Sequence, residues 1–229
     1  MNNFEKLQVT SKKEEFDFPA AEINAFYDPN HNNIAILAGI LVPPYFDAEN
    51  PRLLNYGGIG VIIGHEFTHG FDDYGSQFDM NGNKRNWWGE ETGSRFMKKA
   101  KCLEYQYSAI EVDKLDVKIN GKRTLGENIA DNGGMKLAFR AAEKQFKSQN
   151  FVMQGLEKYK PEQLFFLSYA FTWCGNARKQ LILEDVASNL HSPDVYRVNV
   201  VLSNQPEFSK AFNCPAGMPM NPHNKCTLW

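Results

Sequence analysis

Two histidines four residues apart, with a glutamate beside the first, constrain this chain more than any other feature. The run is His65-Glu66-Phe67-Thr68-His69. On an α-helix, positions i and i+4 share a face, so His65 and His69 can address one metal ion. Glu66 is rotated about 100° round the helix axis, where it cannot easily act as a ligand but can reach a water held by the ion. The preceding Val61-Ile62-Ile63 is apolar, as suits a helix crossing a core. Gly57, Gly58, Gly60, Gly64 and Gly70 lie around it. Glycine weakens a helix, so this density implies close approach of other backbone or of a ligand. An ordinary buried helix with satisfied histidines is the competing reading.

The H-E-x-x-H arrangement is that of zinc metallopeptidases. A catalytic zinc ion takes three protein ligands and keeps one position for water, so a third ligand must come from elsewhere in the chain. Glu127 is the natural candidate. It stands four residues before Asp131, which places both carboxylates on one face of a second helix. Glu127 would bind the metal, and Asp131 would accept the outer N–H of a ligating imidazole, fixing its tautomer and orientation. Taken alone, the pair suits a solvated helix face equally well.

Composition narrows the alternatives. A net charge of −2 and the lack of a Lys/Arg cluster argue against a nucleic-acid partner. The longest apolar run, residues 34–44, is too short to span a bilayer. The first eighteen residues are polar and charged, unlike a signal peptide. The chain is therefore cytosolic, or a piece of something larger that lacks its targeting segment. Cys102, Cys174, Cys214 and Cys226 show no C-x-x-C spacing, which disfavours a cysteine zinc site. Their even number fits disulfides, and four free thiols equally.

The 229 residues contain no repeat, low-complexity stretch or linker and read as one domain, 1–229. A strand is expected near Phe16. Ile23 to Tyr27, a turn at residues 28–33 and an apolar run at 34–42 read as strand, loop and buried strand ahead of the metal helix. That helix is expected over 55–71. Residues 79–83 superficially resemble a calcium loop, but Lys84 occupies the position that needs glycine, so a turn is expected. Trp87 and Trp88 read as core packing. Helices are predicted over 92–110, 125–147, 161–184, 193–202 and 205–212. Asn120-Gly121 signals a type I′ hairpin between 117–119 and 122–124.

Beyond these single features, five motifs recur in a known order. They are Asn24-Ala25-Phe26-Tyr27, His65-Glu66-Phe67-Thr68-His69-Gly70-Phe71-Asp72, Gly126-Glu127-Asn128-Ile129-Ala130-Asp131, His191-Ser192-Pro193 with Arg197-Val198-Asn199, and the terminal Cys226-Thr227-Leu228-Trp229. Together they resemble the neprilysin and endothelin-converting-enzyme family of zinc metallopeptidases, nearly throughout the chain. The resemblance implies an α+β, mainly helical, thermolysin-like zincin (gluzincin) domain with a small sheet beside the cleft. It implies one zinc ion held by His65, His69 and Glu127. Glu66 is then the general base and Asp131 the partner of a ligating histidine. Asn24 and Ala25 bind the peptide backbone, His191 stabilises the oxyanion, and Arg197 holds a substrate carbonyl. His31 and His223 receive no role.

The same resemblance implies a zinc-dependent endopeptidase acting on oligopeptides, with a preference for hydrophobic residues at the amino side of the cut bond. Family members also carry a helical N-terminal half that caps the site, and a membrane span or signal peptide. The likeness covers only the zinc-bearing half, so the chain is expected to be a fragment of an extracellular protein with an uncapped cleft. A zinc-binding but inactive interaction module is the alternative. Cys102 would pair with Cys226, leaving Cys174 and Cys214 without the N-terminal partners they have in the family.

Overall fold

The structure is a computed structural model that describes residues 19–148 and 153–228. The strand expected near Phe16 and the terminal Trp229 lie outside these residues. Two short strands come first, β1 (Ala25–Asp28) and β2 (Asn33–Ile36), paired antiparallel with Ala25 opposite Ile36 and Asp28 opposite Asn33. Asn32 takes a positive φ of 49° in the connecting turn, a conformation that Asn tolerates better than most residues. The apolar run continues beyond β2 as a 3₁₀ turn, Ala38–Ile40, and not as the strand expected through residue 42.

Next come α1 (Arg52–Gly57) and α2 (Ile59–His69). The sequence suggested one helix here. The break falls at Gly58, where the peptide N–H of Ile59 turns to donate to Tyr45 O at 2.7 Å. A side chain at Gly58 would collide with that same carbonyl. The helix α3 (Glu90–Ser108) buries Phe96, Ala100, Leu103 and Tyr107, the three- and four-residue spacing visible in the sequence. Between α2 and α3, Asp79 Oδ1 accepts the backbone N–H groups of Asn81 (2.8 Å) and Asn83 (3.1 Å), closing a turn. Trp88 packs against Phe96, whereas Trp87 is 44% exposed, so only one member of the Trp pair serves the core.

The hairpin sits one segment earlier than predicted. Val112 N donates to Val117 O at 2.8 Å and Ile119 N to Ile110 O at 3.2 Å. The positive φ values belong to Lys114 and Asp116. Asn120 instead closes the turn into the next helix: its Oδ1 accepts from Arg123 N (3.0 Å), and its carbonyl accepts from Thr124 N (3.1 Å). The Asn-Gly pair is here a helix start.

That next helix, α4 (Leu125–Ser148), is central. Ile129 joins Leu103, Tyr107 and Leu228 in one apolar cluster. Met135, Ala138, Phe139 and Ala142 join Val61, Phe165, Phe166 and Val201 in the other. The long helix expected over 161–184 is two, α5 (Pro161–Thr172) and α6 (Lys179–Ser188). Trp173 caps the first and residues 173–178 separate them. Residues 174–180 are exposed and carry no large apolar side chain, and Gly175 is the local signal for the interruption. Helices α7 (Asp194–Ser203) and α8 (Pro206–Ala211) follow as expected. A Cys102–Cys226 disulfide ties the C-terminal segment to α3, while Cys174 and Cys214 are free thiols. Among the described residues no helix is long and apolar enough to cross a membrane.

Helices α2 and α4 cross at backbone contact. A Cβ on Gly64 would stand 2.7 Å from Gly134 O, and one on Gly134 would stand 2.5 Å from His65 N. Neither obstacle is a flexible side chain. Gly134→Ala should therefore lower stability by about 1–3 kcal/mol through overpacking, read as a lower midpoint in thermal unfolding. An unchanged midpoint would show that the two helices can part without cost.

Candidate active site

The glycine-lined crossing sets the site. It presents His65 and His69 from α2 to the first turns of α4, which carry Glu127 and Asp131. His65 Nδ1 lies 2.8 Å from Asp131 Oδ1, and His69 Nδ1 lies 2.7 Å from Asp72 Oδ2. Each carboxylate accepts the Nδ1–H, so each ring turns the lone pair of Nε2 inward. The two Nε2 atoms stand 2.9 Å apart. Glu127 Oε2 lies 3.2 Å from the first and 3.6 Å from the second. This oxygen is buried, and none of its contacts has hydrogen-bond geometry.

Three inward-facing acceptors in so small a space repel one another unless a cation lies among them. Ligand atoms about 2.0–2.1 Å from a tetrahedral zinc stand about 3.3 Å from each other. The three separations here bracket that value, and among the described residues these three form the group able to hold a metal ion. The donor set of two imidazoles and one carboxylate suits zinc.

The electrostatics agree. Burial works against charge on the His69 ring, but Asp72 and Glu127 outweigh it and raise its pKa to about 10. His65 is also raised: burial opposes this, and Asp131 and then Glu127 prevail. The Glu127 carboxyl is pushed up by burial and pulled far below the usual range by His191, His65 and His69. The attraction for a proton is an attraction for any cation at this point, so protons and metal compete here.

Glu66 is 5% exposed, and burial raises its pKa against the pull of His65 and His69. It lines the same cleft of about 770 Å³ as the three acceptors. The cleft also contains Asn24, Ala25, His191 and Arg197, so all nine residues singled out in the sequence except Asp131 open onto it, and Asp131 lies directly behind. His191 Nε2 lies 3.1 Å from Glu127 Oε2 on an exposed ring. Asn24 Oδ1 accepts from Ala25 N at 2.9 Å, and its Nδ2 donates to Glu22 at 3.0 Å.

Arg197 does more locally than its sequence position suggested. Its Nε and Nη2 donate to Asp131 Oδ2 and Oδ1 at 2.8 and 2.7 Å, leaving Nη1 outside the pair. Its guanidinium lies 4.0 Å above the Trp173 ring. Asp131 therefore bridges a histidine and an arginine, and although burial pushes its carboxyl up, Arg197 and then His65 bring it down to about 2. The sequence reading passed over Asp72. Its Oδ1 accepts from Tyr74 N (2.7 Å) and Gly75 N (2.6 Å), so it is locked before it meets His69. The available signal was a carboxylate three residues after the second histidine.

The helical scaffold, the two-stranded sheet and this donor set define a thermolysin-like zincin domain. The sequence model of Peptidase family M13 matches residues 24–228, and the chain belongs to that family. It is 48% identical to Neprilysin-1 of Caenorhabditis elegans over 233 residues, covering 100% of this chain and 31% of that protein. It is 44% identical to human Endothelin-converting enzyme-like 1, covering 98% of this chain and 29% of that protein. Its fold superposes on the Mycobacterium tuberculosis zinc metalloprotease Zmp1, solved with an inhibitor, with a TM-score of 0.86 and 34% identity; the match covers 92% of this chain and 33% of that one. The chain thus spans about a third of the length of the relatives it matches.

Two outcomes follow. Asp72→Ala should weaken zinc affinity about 10–100-fold by freeing the His69 ring, measured by competition with a fluorescent chelator. Unchanged affinity would mean that the carboxylate is dispensable. The second concerns acid. The folded pKa of Asp131 is depressed from 3.8 to about 2, so its stabilisation is fully present above pH 3.8 and is lost as pH falls towards 2. Urea unfolding at stepped pH should show this loss, and Asp131→Asn should flatten the dependence within that window.

Proposed function

We propose that this chain is the catalytic part of a zinc-dependent endopeptidase that hydrolyses peptide bonds in oligopeptides outside the cell. The observation that carries the reading is the convergence of His65 Nε2, His69 Nε2 and Glu127 Oε2 beside a buried, cleft-facing Glu66. Zinc held by those three atoms supplies a Lewis acid that polarises the scissile carbonyl and makes water more acidic.

The chain's own residues do the rest. Glu66 takes a proton from the attacking water and later delivers it to the leaving nitrogen; its raised proton affinity suits both tasks. His191, facing the same point from the opposite loop, donates to the oxyanion, a contribution often worth about 3 kcal/mol. Arg197 is held in place by Asp131 and offers Nη1 to a substrate carbonyl.

The substrate lies along β1. Leu37 N donates to Asn24 O, so the antiparallel alternation turns the Ala25 and Tyr27 peptide groups to the other edge, where the cleft is. An extended peptide added there gains backbone hydrogen bonds in the manner of an extra strand. The Asn24 amide exchanges its Glu22 contact for the substrate backbone. Ile40, Ile62 and Trp173 give the cleft apolar walls, which supports a preference for large hydrophobic residues at the amino side of the cut bond. The disulfide fits an oxidising compartment.

Glu66→Gln tests the mechanism. The variant should retain one zinc per chain and lose cleavage of short peptides by about 10²–10⁴-fold, and a chelator should abolish cleavage by the parent chain. Equal cleavage by both proteins would remove Glu66 from the reaction. Zinc retention without cleavage by either would favour an inactive binding module.

A further inference from the structure

His191 poses a positional problem. Its side chain is 45% exposed, and it sits on the loop between α6 and α7, where no helix fixes its backbone. Yet Nε2 stands 3.1 Å from Glu127 Oε2, facing the metal-binding point. Within the loop, Asn189 Oδ1 accepts from His191 N at 3.0 Å and lies 3.2 Å from its Nδ1; the restraint that ties this loop to α4 comes from the next residue. Ser192 is 2% exposed, and its hydroxyl donates to Asn128 Oδ1 at 2.9 Å across 64 residues of sequence. Asn128 is fully buried and directly follows Glu127. The contact of the exposed His191 ring with the buried Glu127 Oε2 and the buried Ser192–Asn128 bond are therefore adjacent rungs between the same two segments.

The Asn128 side chain is itself fixed. Its Nδ2 donates to Thr124 Oγ1 at 2.8 Å, which assigns the amide oxygen to Ser192. Thr124 Oγ1 in turn donates to Asn120 O. The relay thus runs from the turn before α4 to the loop carrying His191, with its inner members shielded from water. Buried polar chains of this kind hold one geometry, because breaking a member leaves a desolvated group unpaired.

We infer that Ser192 and Asn128 are positioning residues: their buried hydrogen bond holds the His191 loop at the distance from the metal centre that oxyanion stabilisation requires. The inference rests on the role given to His191 above. A misplacement of about 1 Å at a catalytic group can cost up to about 100-fold in rate, and loosening one loop anchor should cost less.

Ser192→Ala removes the hydroxyl and almost no volume. In the full chain, kcat on a short peptide should fall about ten-fold, with zinc content and KM within two-fold of the parent. In a His191→Ala background, the same substitution should change kcat by less than two-fold, because no ring remains to be placed. Ser192→Thr, which keeps the hydroxyl, should recover most of the loss. Equal losses in both backgrounds, or no loss in the first, would overturn the inference. Ring dynamics give a readout independent of turnover: ¹³C relaxation of His191 should report a more mobile ring in Ser192→Ala. Should that variant unfold, Thr124→Ala loosens the far end of the relay and should mobilise the ring in the same sense. A ring equally ordered in the variant and the parent overturns the inference. Absence of cleavage by the parent chain would sink the hydrolase reading alone, and the relaxation experiment would still decide on the anchor.

Discussion

Everything at this site depends on two helices touching through their backbones. With side chains at Gly64 and Gly134, α2 and α4 would be pushed apart, since each Cβ would press on main-chain atoms of the other helix. Separating them would move Glu127 and Asp131 away from His65 and His69, and the three inward acceptors would no longer surround one point. Gly133 extends the same contact, where a Cβ would meet the Thr68 side chain. The weakening that glycine brings to a helix is thus accepted where the chemistry requires proximity. Tertiary burial compensates: Val61 packs beside Met135 and Phe139 in the same apolar cluster.

The second constraint is electrostatic order. Imidazole nitrogens accept a metal only when the ring's other nitrogen carries the proton, and two carboxylates enforce that state. Each carboxylate is immobilised by other donors, Asp72 by backbone N–H groups and Asp131 by a guanidinium. The guanidinium is in turn covered by an indole ring. Orientation therefore passes inward through successive contacts and does not rest on the three candidate ligands alone. A buried charge pair such as Asp131–Arg197 gives little net stability compared with apolar packing; its value here is directional.

Much of this was legible in the sequence where periodicity or spacing encodes a face. His65 and His69, then Glu127 and Asp131, are each four apart, and a helix turns that spacing into a shared side. The buried positions of α3 followed the same rule. What stayed hidden was long-range or a matter of interruption. No local signal showed that Arg197 would meet Asp131, 66 residues away. The helix break at Gly58 was hidden because it is set by a long-range bond, Ile59 N to Tyr45 O, whereas the break at residues 173–178 did have a local signal in Gly175. The Asn120-Gly121 pair misled, because a dipeptide good at tight hairpins also serves as a helix entry when its side chain caps the turn. Asp72 was overlooked because an acidic residue after a helix end is ordinarily read as solvated.

The sheet has only two strands among the described residues, and its outward edge faces the cleft. A peptide added to that edge, as proposed, would be read in part through its amide hydrogens. The carbonyl of Ala25, turned outward by the alternation of the ladder, needs an N–H to receive. An imino acid offers none, so a proline at the residue facing Ala25 would leave that carbonyl unmatched. On the proposed pairing of a peptide with β1, a proline at that one position would cost a backbone hydrogen bond whatever the neighbouring side chains.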